Sequence, residues 1–282
     1  MRKRISFISV LTMFLAIGFV IIFSRPVKAA ANGVILKSNR TYAAYDVTGD
    51  GMKDKIRIRA SNQTDDEAYS SLTVSVNGKT AYRLKNTRFY NVIANIYTLK
   101  NGQPFLYLYA PADNGDGPVC ALLKYTNGKF RKILDFTEIM AGYGNHRIGE
   151  VTNLNGNKIV ITESIVSYSL GINAINFTYK YVNGKFVPTS RYGSYKEIYS
   201  ADGSSRYFTV NSDLPAYTRP DATAVNTTLK TGSLTKIIKC ALINGKMYIQ
   251  LECDGEIYWI KALENPPISD NERQFMEVRY AG

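Results

Sequence analysis

The chain has one histidine, one tryptophan and three cysteines in 282 residues, and these scarcities exclude a good deal of chemistry. His146 is the only imidazole; no H-E-x-x-H and no G-x-S-x-G occurs, so neither a zinc-protease helix nor a nucleophile elbow is present. A Cys120/His146 pair has no motif around it, and the two read as a buried thiol and a loop imidazole. Three cysteines, Cys120, Cys240 and Cys253, are an odd number and no disulfide framework. If Asn244-Gly245 is a two-residue hairpin turn, Cys240 faces Ile249 and Cys253 faces Lys236. The two sulfurs then lie about 13 Å apart along the ladder, too far to bond, so free thiols are expected. After the N-terminus no stretch approaches 18 apolar residues, which excludes a second membrane span, and no long amphipathic helix is visible.

The N-terminus is different. Arg2, Lys3 and Arg4 precede an uncharged run from Ile5 to Ser24 that Arg25-Pro26 closes, and Ala29, Ala30 and Ala31 offer a peptidase site. Residues 1–31 therefore read either as a cleaved secretory signal peptide or as an uncleaved signal anchor, because the run is close to the ~20 residues that span a bilayer. Either way the remainder is expected outside the cytoplasm. The formal charge is +12; the segment contains Arg2, Lys3, Arg4, Arg25 and Lys28, and the 30 cationic side chains that remain against 23 acidic ones leave +7. A basic external protein is drawn to anionic wall polymers or headgroups, while scattered lysines serve solubility equally well. Nucleic acid is not an expected partner, because no nucleic-acid motif is present.

Glycine and tyrosine are plentiful. Asn-Gly recurs at Asn77-Gly78, Asn101-Gly102, Asn127-Gly128, Asn155-Gly156 and Asn183-Gly184, each between apolar or alternating segments, as in type I′ hairpins. Strands are expected at Leu72 to Val76, Phe105 to Ala110, Leu122 to Tyr125, Lys158 to Thr162 and Phe177 to Val182. In the second, Phe105, Tyr107 and Tyr109 alternate with Leu106, Leu108 and Ala110, so both faces are expected to be at least partly covered. Residues 32–195 thus read as a hairpin-repeat domain, a partial propeller or a stacked sandwich. Ile133 to Met140 is expected to hold a helical turn or two. A polar stretch, residues 193–206, marks the expected boundary to a second module at 206–265, with 266–282 as a C-terminal extension. The fold class is all-β, a hairpin-rich propeller-like or sandwich domain followed by a small barrel.

The second module runs through Leu214-Pro215-Ala216-Tyr217-Thr218-Arg219-Pro220, then Lys230-Thr231-Gly232-Ser233, the turns Asn244-Gly245 and Asp254-Gly255, and Ile257-Tyr258-Trp259-Ile260-Lys261. It resembles the bacterial SH3-like (SH3b) domains over about a fifth of the chain, although the opening segment departs from their Asn-Val-Arg pattern. The resemblance implies a compact barrel whose relatives often bind cell-wall peptides. Trp259 then either closes the barrel core or forms a ligand platform with Tyr217 and Tyr258.

The sharpest chemical motif is Asp46-Val47-Thr48-Gly49-Asp50-Gly51-Met52-Lys53-Asp54. Asp46, Thr48, Asp50, the Met52 carbonyl and Asp54 supply oxygens at alternate positions around a glycine bend, the pattern a calcium ion needs. Arg57 stands where an EF-hand has its glutamate, and a strand follows. The loop resembles the calcium loops of FG-GAP (integrin-type) propeller repeats, with Thr48 in place of their usual Asp or Asn. Asp113-Asn114-Gly115-Asp116-Gly117 lacks a later carboxylate and reads as a turn.

Together these features point to a secreted or surface-associated, non-catalytic binding protein of the bacterial envelope, with wall peptide or polysaccharide as partner and calcium as cofactor. An envelope hydrolase is the first alternative, since a carboxylate pair carries no short motif. An extracellular sensor domain is the second.

Overall fold

The computed structural model describes residues 33–63, 66–198, 200, 203 and 206–279; the expected signal segment, 1–31, lies outside them. β1 (Gly33–Ile35) and β2 (Thr41–Tyr45) open the chain. The first meander continues from β2 through β3 (Asp54–Gln63), β4 (Tyr69–Val76) and β5 (Lys79–Phe89). A second follows with β6 (Ile93–Thr98), β7 (Pro104–Ala110), β8 (Val119–Thr126) and β9 (Lys129–Asp135), and a third with β10 (Gly144–Asn155), β11 (Lys158–Ser167), β12 (Gly171–Val182) and β13 (Lys185–Pro188). The order ends with β14 (Tyr192–Ile198), β15 (Tyr207–Thr209), β16 (Leu214–Ala216), β17 (Thr227–Leu229), β18 (Leu234–Ile243), β19 (Lys246–Cys253) and β20 (Glu256–Lys261). Between Ile133 and Met140, where one or two helical turns were expected, β9 runs to Asp135 and a single 3-10 turn covers Phe136–Glu138. The protein is all-β, as its turn chemistry and alternation indicate.

Three sheets stack. The four-stranded sheet β2-β3-β4-β5 packs Ile56, Ile58, Leu72 and Val74 against Leu106, Leu108 and Leu123 of the five-stranded sheet β1-β6-β7-β8-β9. The opposite face of that sheet, with Phe105, Tyr107, Tyr109, Cys120 and Leu122, packs on Ile159, Ile161, Ile175, Phe177, Ile237 and Ile249 of the third sheet. Every residue of β7 from Phe105 to Ala110 is buried, which is why it reads as an unbroken apolar run. Asn77-Gly78, Asn127-Gly128 and Asn183-Gly184 have both residues at positive φ and form the expected I′ geometry; at Asn101-Gly102 and Asn155-Gly156 only the glycine does.

The third sheet has nine strands, along the path β10-β11-β12-β14-β18-β19-β20 with β13 and β15 beside it. β14 pairs with β12 through Asn173↔Ile198 to Asn176↔Ser194 and with β18 through Tyr192↔Ala241 to Ser194↔Lys239. The stretch expected to separate two modules is therefore in part a strand that joins them, and Phe208, Cys240 and Ile260 share a core with Ile159 and Phe177. The residues expected as an extension also fold back: Phe275 bridges Val210, Val278 bridges Ser200, and Arg279 O accepts from Ile172 N at 2.9 Å.

Cys240 faces Ile249 as the turn predicts, but a bulge between Ile237 and Lys239 shifts the register beyond it. Cys253 consequently faces Thr235, not Lys236. All three thiols are buried and free.

Candidate functional site

The expected ligand residues lie near β20, and strand geometry divides them. Successive side chains of a strand point to opposite faces, so Ile260 enters the main core and Trp259 and Lys261 turn away from it. By the same alternation β18 gives Lys239 and Ala241, and β19 gives Tyr248, to the outer face of the sheet. Tyr217 is held there by reciprocal backbone bonds with Trp259, both 2.8 Å. Tyr217, Ala241, Tyr248 and Trp259 form a small cluster separate from the main core, flanked by Tyr192, Ala222 and Ile243. Tyr258 is not part of it; its half-buried ring packs against the main core on the other face. The structure thus brings Tyr217 and Trp259 together and leaves Tyr258 behind.

Tyr192 takes the place expected for Tyr258. β14 sets it opposite Ala241, and its ring lies 5.8 Å from that of Trp259, tilted by 35°. Cations frame the rings: Lys239 Nζ is 4.6 Å from the Tyr192 centroid and 5.9 Å from that of Trp259, Arg191 is 5.2 Å over Tyr192, and Lys261 Nζ is 5.2 Å over Tyr217. The nearby carboxylate, Asp221, stands 3.9 Å from Arg191 and 4.0 Å from Arg219. Pairs this long and exposed contribute less than about 1 kcal/mol and leave the guanidinium groups open to another anion. Trp259 is only 5% exposed, so it serves mainly as a floor, while half-buried Tyr192 and the cations meet solvent.

At the other expected site, Asp46, Thr48, Asp50 and Asp54 share one tight loop. Buried Asp54 accepts from Val47 N (2.7 Å), Thr48 N (2.9 Å), Thr48 Oγ1 (3.2 Å) and Asn77 Nδ2 (2.6 Å). Asp46 accepts from Gly49 N (2.6 Å), Gly51 N (2.7 Å) and Thr48 Oγ1 (3.3 Å), and Asp50 from Met52 N (2.8 Å). Desolvation opposes ionisation of Asp46, but the Gly51 and Gly49 amides prevail and hold its carboxyl below the ordinary value. The Met52 side chain is 69% exposed. Among the described residues no three His, Cys, Asp or Glu side chains stand together as a metal-holding group.

No family model, curated protein or solved structure matches this chain.

The functional reading therefore rests on side-chain geometry alone. Cys120 donates to Gly149 O at 3.3 Å, and burial pushes its thiol up to about 12, which keeps it protonated and unreactive. His146, expected on a loop, lies instead in β10, at positive φ in the bulge between Asn145 and Ile148, and its Nδ1 stands 3.1 Å from Asp116 Oδ2 without hydrogen-bond alignment. Asp113–Gly115 is a 3-10 turn, in line with a structural role. Glu163 is the most perturbed carboxyl: it is fully buried, neither oxygen has a hydrogen-bond partner, and a Cβ at Gly149 would fall 2.3 Å from its Oε1 and 2.1 Å from the Phe136 ring. A carboxyl sealed in this way cannot reach a substrate.

Sequence reasoning missed Tyr192, Tyr248, Lys239 and Lys261. Only a long-range pairing, β14 with β18, brings Tyr192 to Trp259; the available signal was the Lys-x-Ala and Trp-x-Lys alternation, which marks an outer face once the inner one is known.

Proposed function

We propose that the protein is an extracytoplasmic, non-catalytic binder of bacterial cell-wall material, which it engages through the outer face around Tyr192, Tyr217 and Trp259. The observation that supports this most is the close interleaving of aromatic rings with Lys239, Lys261 and Arg191. Rings offer flat apolar area to a sugar or peptide, and the cations offer attraction to its anionic groups. The +7 charge beyond the expected signal segment adds a longer-range pull that salt weakens.

Sedimentation of the purified protein with cell walls tests the reading. Tyr192→Ala is expected to weaken binding about tenfold, or 1.4 kcal/mol, at every salt concentration, and Lys239→Gln mainly at low salt. Tyr258→Ala, on the other face, serves as the control. A folded protein that stays in the supernatant with walls in excess overturns the proposal. Trp259→Ala is a poor probe, since opening a cavity there costs about 3–5 kcal/mol of stability.

The loop Asp46–Asp54 is proposed as a calcium site on its oxygen chemistry. Its hydrogen bonds mean that Asp50 would have to leave the Met52 amide to bind a cation. Calcium at a hundredfold excess over its dissociation constant is then expected to stabilise the fold by about 2.7 kcal/mol, read as a higher melting temperature. Asp50→Ala should abolish the shift. Identical melting curves with calcium and with chelator would assign the loop to a turn held by its own amides.

A further inference from the structure

In a four-stranded antiparallel meander the first and third turns lie at one end and the second at the other. The three meanders here stack with the same polarity. Lys129 Nζ donates to Thr80 O at 3.1 Å, which ties the third turn of the second meander to the third turn of the first. Lys100 N donates to Gly156 O at 3.0 Å, joining the first turns of the second and third, and Tyr181 N donates to Asn157 O at 2.9 Å within the third. All five Asn-Gly turns of the array, 77–78, 101–102, 127–128, 155–156 and 183–184, therefore gather at one end of the stack. The Tyr181, Phe105 and Phe186 rings pack beneath them with centroids 4.9 to 5.2 Å apart, and Lys124 Nζ donates to Tyr181 OH at 2.9 Å.

This end is cationic. Lys79, Lys100, Lys129, Lys158, Lys180 and Lys185 are all exposed there, and none takes part in an ion pair among the described residues. The surrounding strands are free of Asp and Glu through residues 76–89, 98–110, 119–134, 151–162 and 171–196. The adjoining acidic residues are Asp46, Asp50 and Asp54, whose oxygens already bond loop amides and Asn77. Turns on one sheet are two strands apart and neighbouring sheets about 10 Å apart, so the lysines form a grid with a mesh of about 10 Å. Like charges at that spacing repel one another, and the arrangement favours a ligand that supplies several negative charges at once.

We propose that this end of the stack is a second binding surface, separate from the outer face around Tyr192, and that it takes a flexible linear polymer rich in phosphate charge. The turn apices favour a polymer over a membrane. The Asn-Gly apices carry Asn, Gly and Lys, and Phe105 and Phe186 are buried. The large apolar side chains exposed at this end are Met52 at 69%, on the first turn of the first meander, and Val182 at 37% and Val187 at 41% beside the 183–184 turn. They sit on different sheets and form no single apolar patch. An inserting surface needs aromatic or long aliphatic side chains at its apices.

The test uses the full chain and long-chain inorganic polyphosphate, with binding followed by fluorescence anisotropy across a salt series. Affinity is expected to fall steeply with salt. The triple variant Lys100→Gln, Lys158→Gln, Lys185→Gln should lose at least about tenfold at low salt and flatten the log–log salt slope by about 2 to 3. The corresponding Lys→Arg triple should retain binding, and Lys37→Gln, Lys85→Gln, Lys230→Gln, which changes the net charge equally at other places, should retain most of it. Equal loss in the two Gln triples would reduce the effect to net charge and overturn the proposal. So would the absence of polyphosphate binding at low salt, or binding to anionic phosphatidylglycerol vesicles that exceeds binding to the polymer. Tyr192→Ala, on the outer face, is expected to bind polyphosphate as the native protein does, so the two surfaces fail or stand separately.

Discussion

Phe275→Ala is expected to destabilise the protein by about 3–5 kcal/mol, the cost of removing a fully buried aromatic ring and leaving a cavity. The residue lies in the tail that sequence reasoning set aside as an extension, and it is 0% exposed, with its ring 5.7 Å from that of Phe208. Its strand-like pairing with Val210 continues in Met276 N to Thr209 O at 3.0 Å, and the Glu277 carboxylate accepts from Thr209 N at 2.7 Å. Further along, Gly171 at φ +63 lets the tail approach so closely that a Cβ there would fall 2.1 Å from Arg279 O. Urea denaturation of Phe275→Ala beside Met276→Ala, a 48% exposed neighbour, measures the difference. A change below about 1 kcal/mol for Phe275→Ala would mean that the tail only covers a core already closed without it.

Glu163→Gln is expected to stabilise the protein at neutral pH and to remove a pH dependence that the native chain carries. Burial is the main force that raises the Glu163 carboxyl well above the usual carboxylate range; Arg147 pulls it down, and Asp135 pushes it up again. The Phe136 ring lies beside Glu163 at Gly149, and the Cys120 thiol and Tyr179 phenol are close enough to feel its charge. With a folded value above the unfolded one, the native state holds its proton where the unfolded chain has released it. That contribution is fully present below the unfolded value, about 4.3, and is lost as pH rises toward the folded value, by at most about 1.4 kcal/mol per pH unit. Denaturant melts of native protein and Glu163→Gln from about pH 4.5 to 8 should therefore diverge with rising pH, the variant gaining. Glu163→Leu, which removes the unpaired oxygens altogether, should behave likewise. Parallel curves for native and variant proteins would show that Glu163 has found a partner or water in solution.

The local chemistry was legible in the sequence and the long-range pairing was not. Asn-Gly turns and the alternation of Phe105 to Ala110 are properties of a few adjacent residues, and they specify hairpins and a strand buried on both faces. The Cys240–Ile249 register follows from the turn next to it. Past Ile238 one unpaired residue moves the register, and no residue type announces a bulge of this kind. The joining of the two expected modules depends on β14, whose polar flanks resemble a linker until partners on both edges are known. The same is true of the site: Tyr217 and Trp259 stood out by type, but Tyr192 belongs with them only through β14, and the opposite orientation of Tyr258 follows from strand alternation that a motif match ignores.

The double pairing of β14 also decides how the chain can be divided. A cut between Ile198 and Tyr207 bares the N–H and C=O groups of Tyr192 to Ser194 on β14 and of Lys239 to Ala241 on β18, while β15 still covers Leu234 to Lys236, in sheets rich in β-branched and aromatic residues. Such edges recruit strands from other molecules. Each half is then the natural cap of the other, so fragments of this protein are better co-expressed than purified alone, and exchange of its C-terminal half with that of another protein succeeds only if the incoming half brings an edge that β14 can pair with.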